Sequence, residues 1–169
     1  MIDRGNVSLP DEDESSRFFL LTSRFLESHG FIHYEVSNFA VSREFFCRHN
    51  QKYWRHVPYL GLGPAAHSFD GSRRWWNHRS VERYCDAIEA GVRPVAGEET
   101  LSPEQLELER MYLGLRTRQG ITLQDLPESA LPIVEELKRS RLIRITGNRL
   151  RPSRRGYLVA DSLPVLLSR

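Results

Sequence analysis

The chain is 169 residues long, enough for one sizeable core or for a small domain joined to part of another. A hydrophobic content of 40% with 27% charged residues is ordinary for a globular protein, and no apolar run reaches the roughly 18 residues of a membrane-spanning helix. Cys47 and Cys85 lie far apart and make no disulfide framework, and Met1-Ile2-Asp3-Arg4-Gly5 lacks the apolar stretch of a secretory signal, so a reducing, cytoplasmic location is expected. The net charge of +2 conceals an asymmetry. Eight basic residues and no acid lie between Lys138 and Arg155, which leaves 16 basic against 22 acidic residues, or −6, on the rest. A basic end on an acidic body suits either a solvated arginine face or a nucleic-acid contact.

Residues 10–29 predict a helix. Asp11 and Glu14 have capping-box spacing, and Phe18, Leu21, Phe25 and His29 form a stripe widened by Phe19, Thr22 and Leu26. Gly30 suits the left-handed closing residue. Phe31 to Ala40 alternates as one strand, with Ile32, Tyr34, Val36 and Ala40 on one face and His33, Glu35 and Ser37 on the other. That polar face would either line a barrel around a polar ligand or meet water. No period holds from Val41 to Pro58. Tyr59 to Ser68 reads as a short strand entering a glycine-rich turn, a helix follows around Val81–Ala90, and Gly91 to Thr100 is a candidate boundary. Ser102, Pro103 and Gln105 start a helix whose stripe is Leu108, Met111, Tyr112 and Leu115. A second helix is predicted over Leu131–Arg141, with Ile133, Val134 and Leu137 inward. A hairpin follows, turning at Gly147-Asn148, and then a last helix capped by Ser153 and running through Leu163. Helix, helix, hairpin and helix in this order suggest a winged-helix-like module.

The most informative chemistry lies between Arg43 and His56. There Arg43, Arg48, Lys52 and Arg55 interleave with Phe45, Phe46, Tyr53 and Trp54, beside Cys47, His49 and His56. Aromatic faces with guanidinium groups suit a flat anionic ligand, such as a porphyrin or single-stranded nucleic acid. His49 has the chemistry of an axial haem ligand, although a lone histidine is more often a hydrogen-bonded structural residue. Cys47, His49, His56 and His67 match no usual zinc spacing. Gly61-x-Gly63 would let backbone approach a nucleotide-like ligand, but a tight turn explains the glycines equally well.

Three motifs together carry a family resemblance. Tyr34-Glu35-Val36-Ser37-Asn38-Phe39-Ala40 resembles a late barrel strand of the HemN/HemW-type radical-SAM proteins, the oxygen-independent coproporphyrinogen III oxidase group. Arg48-His49-Asn50-Gln51-Lys52-Tyr53-Trp54 is similar to the H-N-x-x-Y-W motif of the haem-chaperone HemW branch. Tyr59 to Ser68 resembles the family's closing glycine-rich segment, and Leu142–Leu163 the end of its C-terminal domain. The resemblance implies an α/β (α+β) fold: the C-terminal end of a radical-SAM (β/α) barrel over 1–78, a connecting helix and linker over 79–100, and a winged-helix-like domain over 101–169. It also implies haem contacts at Arg48, His49, Asn50, Tyr53 and Trp54, with His49 on the iron. Gly61, Gly63, Glu35 and Ser37 would lie near S-adenosylmethionine. The family's [4Fe–4S] cluster needs C-x-x-x-C-x-x-C, a motif missing here, so this chain alone is expected to be inactive as a radical enzyme. Haem or porphyrin, the N-terminal radical-SAM half, a haem-acceptor protein and a second copy covering open strand edges are the expected partners. The alternatives are part of a coproporphyrinogen oxidase and, less favoured, a nucleic-acid-binding module.

Overall fold

The first helix, α1 (Glu12–Ser28), begins where local chemistry dictates. The Asp11 carboxylate accepts from the Glu14 amide at 2.7 Å while the Asp11 amide donates to the Glu14 carboxylate at 3.3 Å, and three acids fill the first turn. Gly30, at φ +85°, follows the cap residue His29 as predicted. The computed structural model describes residues 9–168. These divide into two units, one formed by residues 9–46 with 114–168, the other by Cys47–Leu113.

In the first unit, α1 turns inward a different face from the expected stripe. Ser23 is fully buried, with Phe19 and Leu26 half-buried beside it, whereas Phe18, Leu21 and Phe25 are 59%, 64% and 58% exposed. The reason is a polar contact: the Ser23 hydroxyl meets His33 Nδ1 at 2.9 Å in the interior. Residues two apart on a helix lie about 200° round the axis, so a helix that buries Ser23 presents Leu21 and Phe25 outward.

The alternating run from Phe31 to Ala40 is also not one strand. It folds into a hairpin of β1 (Ile32–Glu35) and β2 (Asn38–Ala40), paired Ile32 with Ala40 and His33 with Phe39. The Asn38 side-chain amide donates to the Glu35 carboxylate across the turn, which favours reversal over extension. Residues 116–118 cover the other edge of β1: Arg118 N–H donates to the Tyr34 carbonyl at 2.9 Å, and Val36 N–H to that of Arg116 at 3.0 Å. His33, Tyr34 and Glu35 are therefore all buried, so neither face of β1 meets water.

The rest of this unit is a sheet of β6 (Ile121–Thr122), β7 (Ile143–Thr146) and β8 (Arg149–Pro152) in the order β6-β8-β7, with three helices. Helix α5 (Leu131–Arg139) buries Val134 and Leu137, and the hairpin turns at Gly147-Asn148 with Thr146 opposite Arg149, both as predicted. Ser153 caps α6 (Arg154–Leu158), but the chain then breaks and restarts as α7 (Ser162–Leu167) instead of continuing through Leu163. Pro164 has no amide to give to a carbonyl four residues back, so it fits only the first turn of a new helix. Leu115, Leu150, Leu163 and Leu167 are fully buried and form the heart of the core.

The second unit holds α2 (Arg48–Trp54), β3 (His67–Phe69), β4 (Arg73–Asn77), α3 (Val81–Glu89) and β5 (Val95–Thr100), and then α4, which spans Pro103–Gly114. The segment without a period thus contains a helix, after a short 3-10 turn at Arg43–Phe45. The stretch read as a linker supplies β5, antiparallel to β4 in the meander β3-β4-β5. Gly97 of β5 lies against the Trp76 indole, where a Cβ would come within 2.6 Å of the ring. Helix α4 starts with the predicted box, Ser102 N–H donating to Gln105 Oε1 at 2.8 Å and Gln105 N–H to Ser102 Oγ at 3.3 Å.

Candidate functional site

Helix α2 carries three ridges, because residues four apart share a face. His49 and Tyr53 form one, with the imidazole edge-on to the phenol ring at 5.0 Å. Arg48, Lys52 and Arg55 form a second, basic ridge, and Lys52 Nζ lies 5.3 Å from the Tyr53 ring centre. Asn50 and Trp54 form the third. Arg48 and His49 are exposed, while Asn50, Tyr53 and Trp54 are half-buried. Within α2 and on to Phe69 the sequence has no Asp or Glu but three Lys or Arg, so the helix itself carries no acid to neutralise its basic ridge.

Contacts made by His56 and Tyr59, just beyond α2, fix the helix in position. His56 takes a left-handed conformation at φ +52° and stacks on Phe69 at 4.4 Å. Its Nε2–H donates to Glu109 at 3.0 Å, and Glu109 and Glu99 both pair with Arg74, at 2.9 and 2.7 Å. Burial lowers the His56 pKa despite the opposing pull of Glu109. His56 is thereby a structural residue, and Glu109, which gave no sequence signal, is the residue that makes it so. Tyr59 pairs with Phe69 in an isolated bridge and meets Tyr53 edge-on at 4.6 Å, linking α2 to β3.

The glycine-rich segment is built for backbone contact. A Cβ on Gly61 would lie 2.1 Å from the His67 carbonyl oxygen, so only glycine fits. Gly61 N–H donates to Ser68 Oγ at 2.9 Å, Gly63 N–H to Tyr84 Oη at 3.1 Å, and Asn77 Nδ2 to the Gly63 carbonyl at 3.0 Å. Both amides are thus used internally. The other two residues expected with them belong to the first unit: Glu35 is 1% exposed on β1, and Ser37 lies exposed in the hairpin turn. Next to Glu35 in sequence, His33 was read only as part of a polar strand face. It is buried with Nε2–H donating to the Val36 carbonyl at 3.0 Å, which leaves Nδ1 to accept from Ser23. It stacks on Phe39 at 4.2 Å, and burial lowers its pKa, so it is held neutral.

Two exposed cysteines outside any disulfide cannot supply the three thiolates of the family cluster, whereas His49 offers an exposed imidazole whose ring contact is with Tyr53 alone among the described residues. The donor set fits a haem ligand and does not fit an iron–sulfur cluster. Among the described residues no three of His, Cys, Asp and Glu are grouped to hold a metal, and no helix is long and apolar enough to cross a membrane.

A mixed helix-and-strand fold with an acid-free histidine helix and a glycine-tight loop defines a class: the C-terminal region of HemN-type radical-SAM proteins. The HemN C-terminal domain family matches residues 101–159. The heme chaperone HemW of Mycobacterium tuberculosis is 35% identical over 160 residues, covering 95% of this chain and 41% of the relative. HemW of Synechocystis is 37% identical over 127 residues, 73% of this chain and 30% of the relative. The zebrafish mitochondrial protein named radical S-adenosyl methionine domain-containing protein 1 is 31% identical over 186 residues, covering 98% and 42%. The solved structure of Escherichia coli coproporphyrinogen III oxidase (HemN), a radical SAM enzyme, shares the fold at a TM-score of 0.71 and 14% identity, covering 96% of this chain and 43% of that one. The chain belongs to the HemN/HemW family and corresponds to the C-terminal part of its members, spanning about two fifths of the first relative's length.

Proposed function

We propose that this chain is the haem-handling C-terminal part of a HemW-like haem chaperone, with α2 as its haem-contacting element. The observation that carries the reading is the exposed His49 on a helix whose neighbouring ridge is basic. In this reading His49 supplies the axial nitrogen, Tyr53 sets the plane of its ring, and Arg48 with Lys52 neutralises the propionates. Asn50 and Trp54, half-buried, hold the helix in place and meet only the rim of the ligand. The whole protein would take its [4Fe–4S] cluster from another segment, and the chain alone would perform no radical chemistry. Gly61 and Gly63 are proposed, on the family resemblance, to lie near S-adenosylmethionine in the whole protein, and Glu35 and Ser37 are proposed as contacts on the same ground. Haem would pass to an acceptor protein in the cytoplasm.

The domain from Leu101 onward is proposed to be winged-helix-like, supported by a helix preceding a hairpin and by the strand order β6-β8-β7. The chaperone reading is preferred to the oxidase reading because the HemW relatives are 35–37% identical, against 14% for the oxidase structure. Haemin titrated into the chain and followed in the Soret region is expected to bind saturably at one-to-one stoichiometry, and about tenfold or more weaker in His49→Ala, the loss of one axial ligand being worth at least one good charge-assisted contact. Non-saturating binding, equal in the two proteins, would overturn the reading.

A further inference from the structure

We infer that the first unit contains a second binding site, an arginine-lined groove for a compact ligand bearing two or more phosphate groups. It is independent of the haem reading. The groove encloses about 430 Å³, within the roughly 300–1,000 Å³ of small-ligand sites. Its walls come from four elements: Leu20 and Arg24 of α1, Lys138 and Arg141 at the end of α5, Ile143 and Arg144 of β7, and Ser153, Arg154 and Arg155 at the start of α6. Six of these nine residues are basic and none is acidic.

Two of the six are neutralised, Lys138 by Glu135 and Arg154 by Glu27. Arg24, Arg141, Arg144 and Arg155 are exposed and have no acid within salt-bridge distance among the described residues. Four arginines without an ion-pair partner among the described residues surround one small concavity and give it a positive potential that favours an anion. A ligand must match about four negative charges in a small volume. A phosphate monoester carries about −1.5 to −2 at neutral pH, so two phosphates suffice where two carboxylates supply only half. The planar guanidinium fork also meets phosphate oxygens two at a time.

The floor is rigid. Ser153 is buried, donates to the Arg141 carbonyl at 2.7 Å and accepts from the Gly156 amide at 3.0 Å. A Cβ on Gly156 would lie 2.0 Å from the Leu142 carbonyl oxygen, so α6 presses directly on the chain that carries Arg141. Arg141 itself stands at φ +58°, just past the cap of α5, where glycine is the unstrained choice. An arginine kept at a strained position beside three other unneutralised arginines points to a use for its side chain. The lining has no aromatic residue, so the stacking platform that single-stranded nucleic acid requires is missing, which favours a small oligophosphate.

The test is calorimetric titration of tripolyphosphate into the full chain at low salt, with Arg144→Ala, Arg141→Gly and, as control, Arg83→Ala on α3 outside the groove. Saturable single-site binding is expected, about tenfold or more weaker in Arg144→Ala and Arg141→Gly and unchanged in Arg83→Ala, as loss of a charge-assisted pair dictates. Arg141→Gly relieves backbone strain and should raise the melting temperature, so its loss of binding would not reflect unfolding. No binding, equal affinity in all four proteins, or citrate binding as tightly as tripolyphosphate would overturn the inference. So would a single-stranded oligonucleotide that binds more tightly as it lengthens, which would make the groove a nucleic-acid surface.

Discussion

Replacing Ser23 by alanine tests whether one buried polar contact selects the face that α1 turns inward. The hydroxyl is fully buried and lies 2.9 Å from His33 Nδ1, whose other nitrogen is committed to the Val36 carbonyl. Without it Nδ1 is a buried acceptor with no donor, a loss of about 1–3 kcal/mol. Alanine returns about 0.5 kcal/mol of helix propensity over serine, leaving a net destabilisation of about 1–2 kcal/mol. For a chain of this size that corresponds to a melting-temperature drop of about 2–8 °C. Urea unfolding followed by far-UV circular dichroism reads the change as a lower midpoint at unchanged slope. Ser28→Ala is the control, since that hydroxyl is exposed, donating to the Phe25 carbonyl at 2.7 Å and lying 3.3 Å from His29 Nδ1, and its loss should stay within about 0.5 kcal/mol. If Ser23→Ala were as neutral as Ser28→Ala, the contact would not fix the helix face, and the exposure of Phe18, Leu21 and Phe25 would need another cause.

The two histidines with lowered pKa, His33 and His56, predict the pH response. In the window from the ordinary histidine value of 6.5 down to each lowered folded value, the unfolded chain binds more protons than the folded one. Stability should therefore be level above pH 7 and fall as the pH drops below about 6.5, which urea midpoints measured from pH 8 to 5.5 would record; a midpoint that rises on acidification contradicts the burial argument. Gly61→Ala forces a Cβ against the His67 carbonyl and should destabilise by at least about 2 kcal/mol, whereas Gly30→Ala, left-handed but in open space, should cost only about 1 kcal/mol, both read as urea midpoints. Ser102→Ala removes the capping box of α4 and should cost about 1 kcal/mol, most visible as faster amide exchange in the first turn of that helix.

Elements whose cause is local were legible in the sequence. The boxes at Asp11 and Ser102, the closing Gly30 and the turn at Gly147-Asn148 depend on residues three or four apart, and all are present. Elements decided at a distance were not. The face of α1 is chosen by His33, ten residues away. The hairpin hides inside an alternating run because its reversal depends on Asn38 reaching Glu35 and on 116–118 covering the strand edge. Strand β5 shows no alternation since most of its side chains are exposed, so it reads as linker although it pairs along five residues of β4. At the candidate site, the residue types from Arg43 to His56 pointed to a flat anionic ligand, but the helix within them had no periodic signal because residues 50–54 are all half-buried and none is fully buried. The support from Glu109 lies 53 residues from His56 and left no trace in sequence.

The central claim is that His49 reaches haem iron, and chemical rescue tests it most directly. His49 is exposed, so His49→Gly should cost the fold little beyond the helix penalty of about 1 kcal/mol. The measurement is the Soret spectrum of ferric haem with the unmodified chain and with His49→Gly, before and after adding imidazole. The account predicts a displaced, weakened band in the variant that free imidazole returns to the position seen with the unmodified chain. Identical spectra for the two proteins before imidazole is added would contradict it.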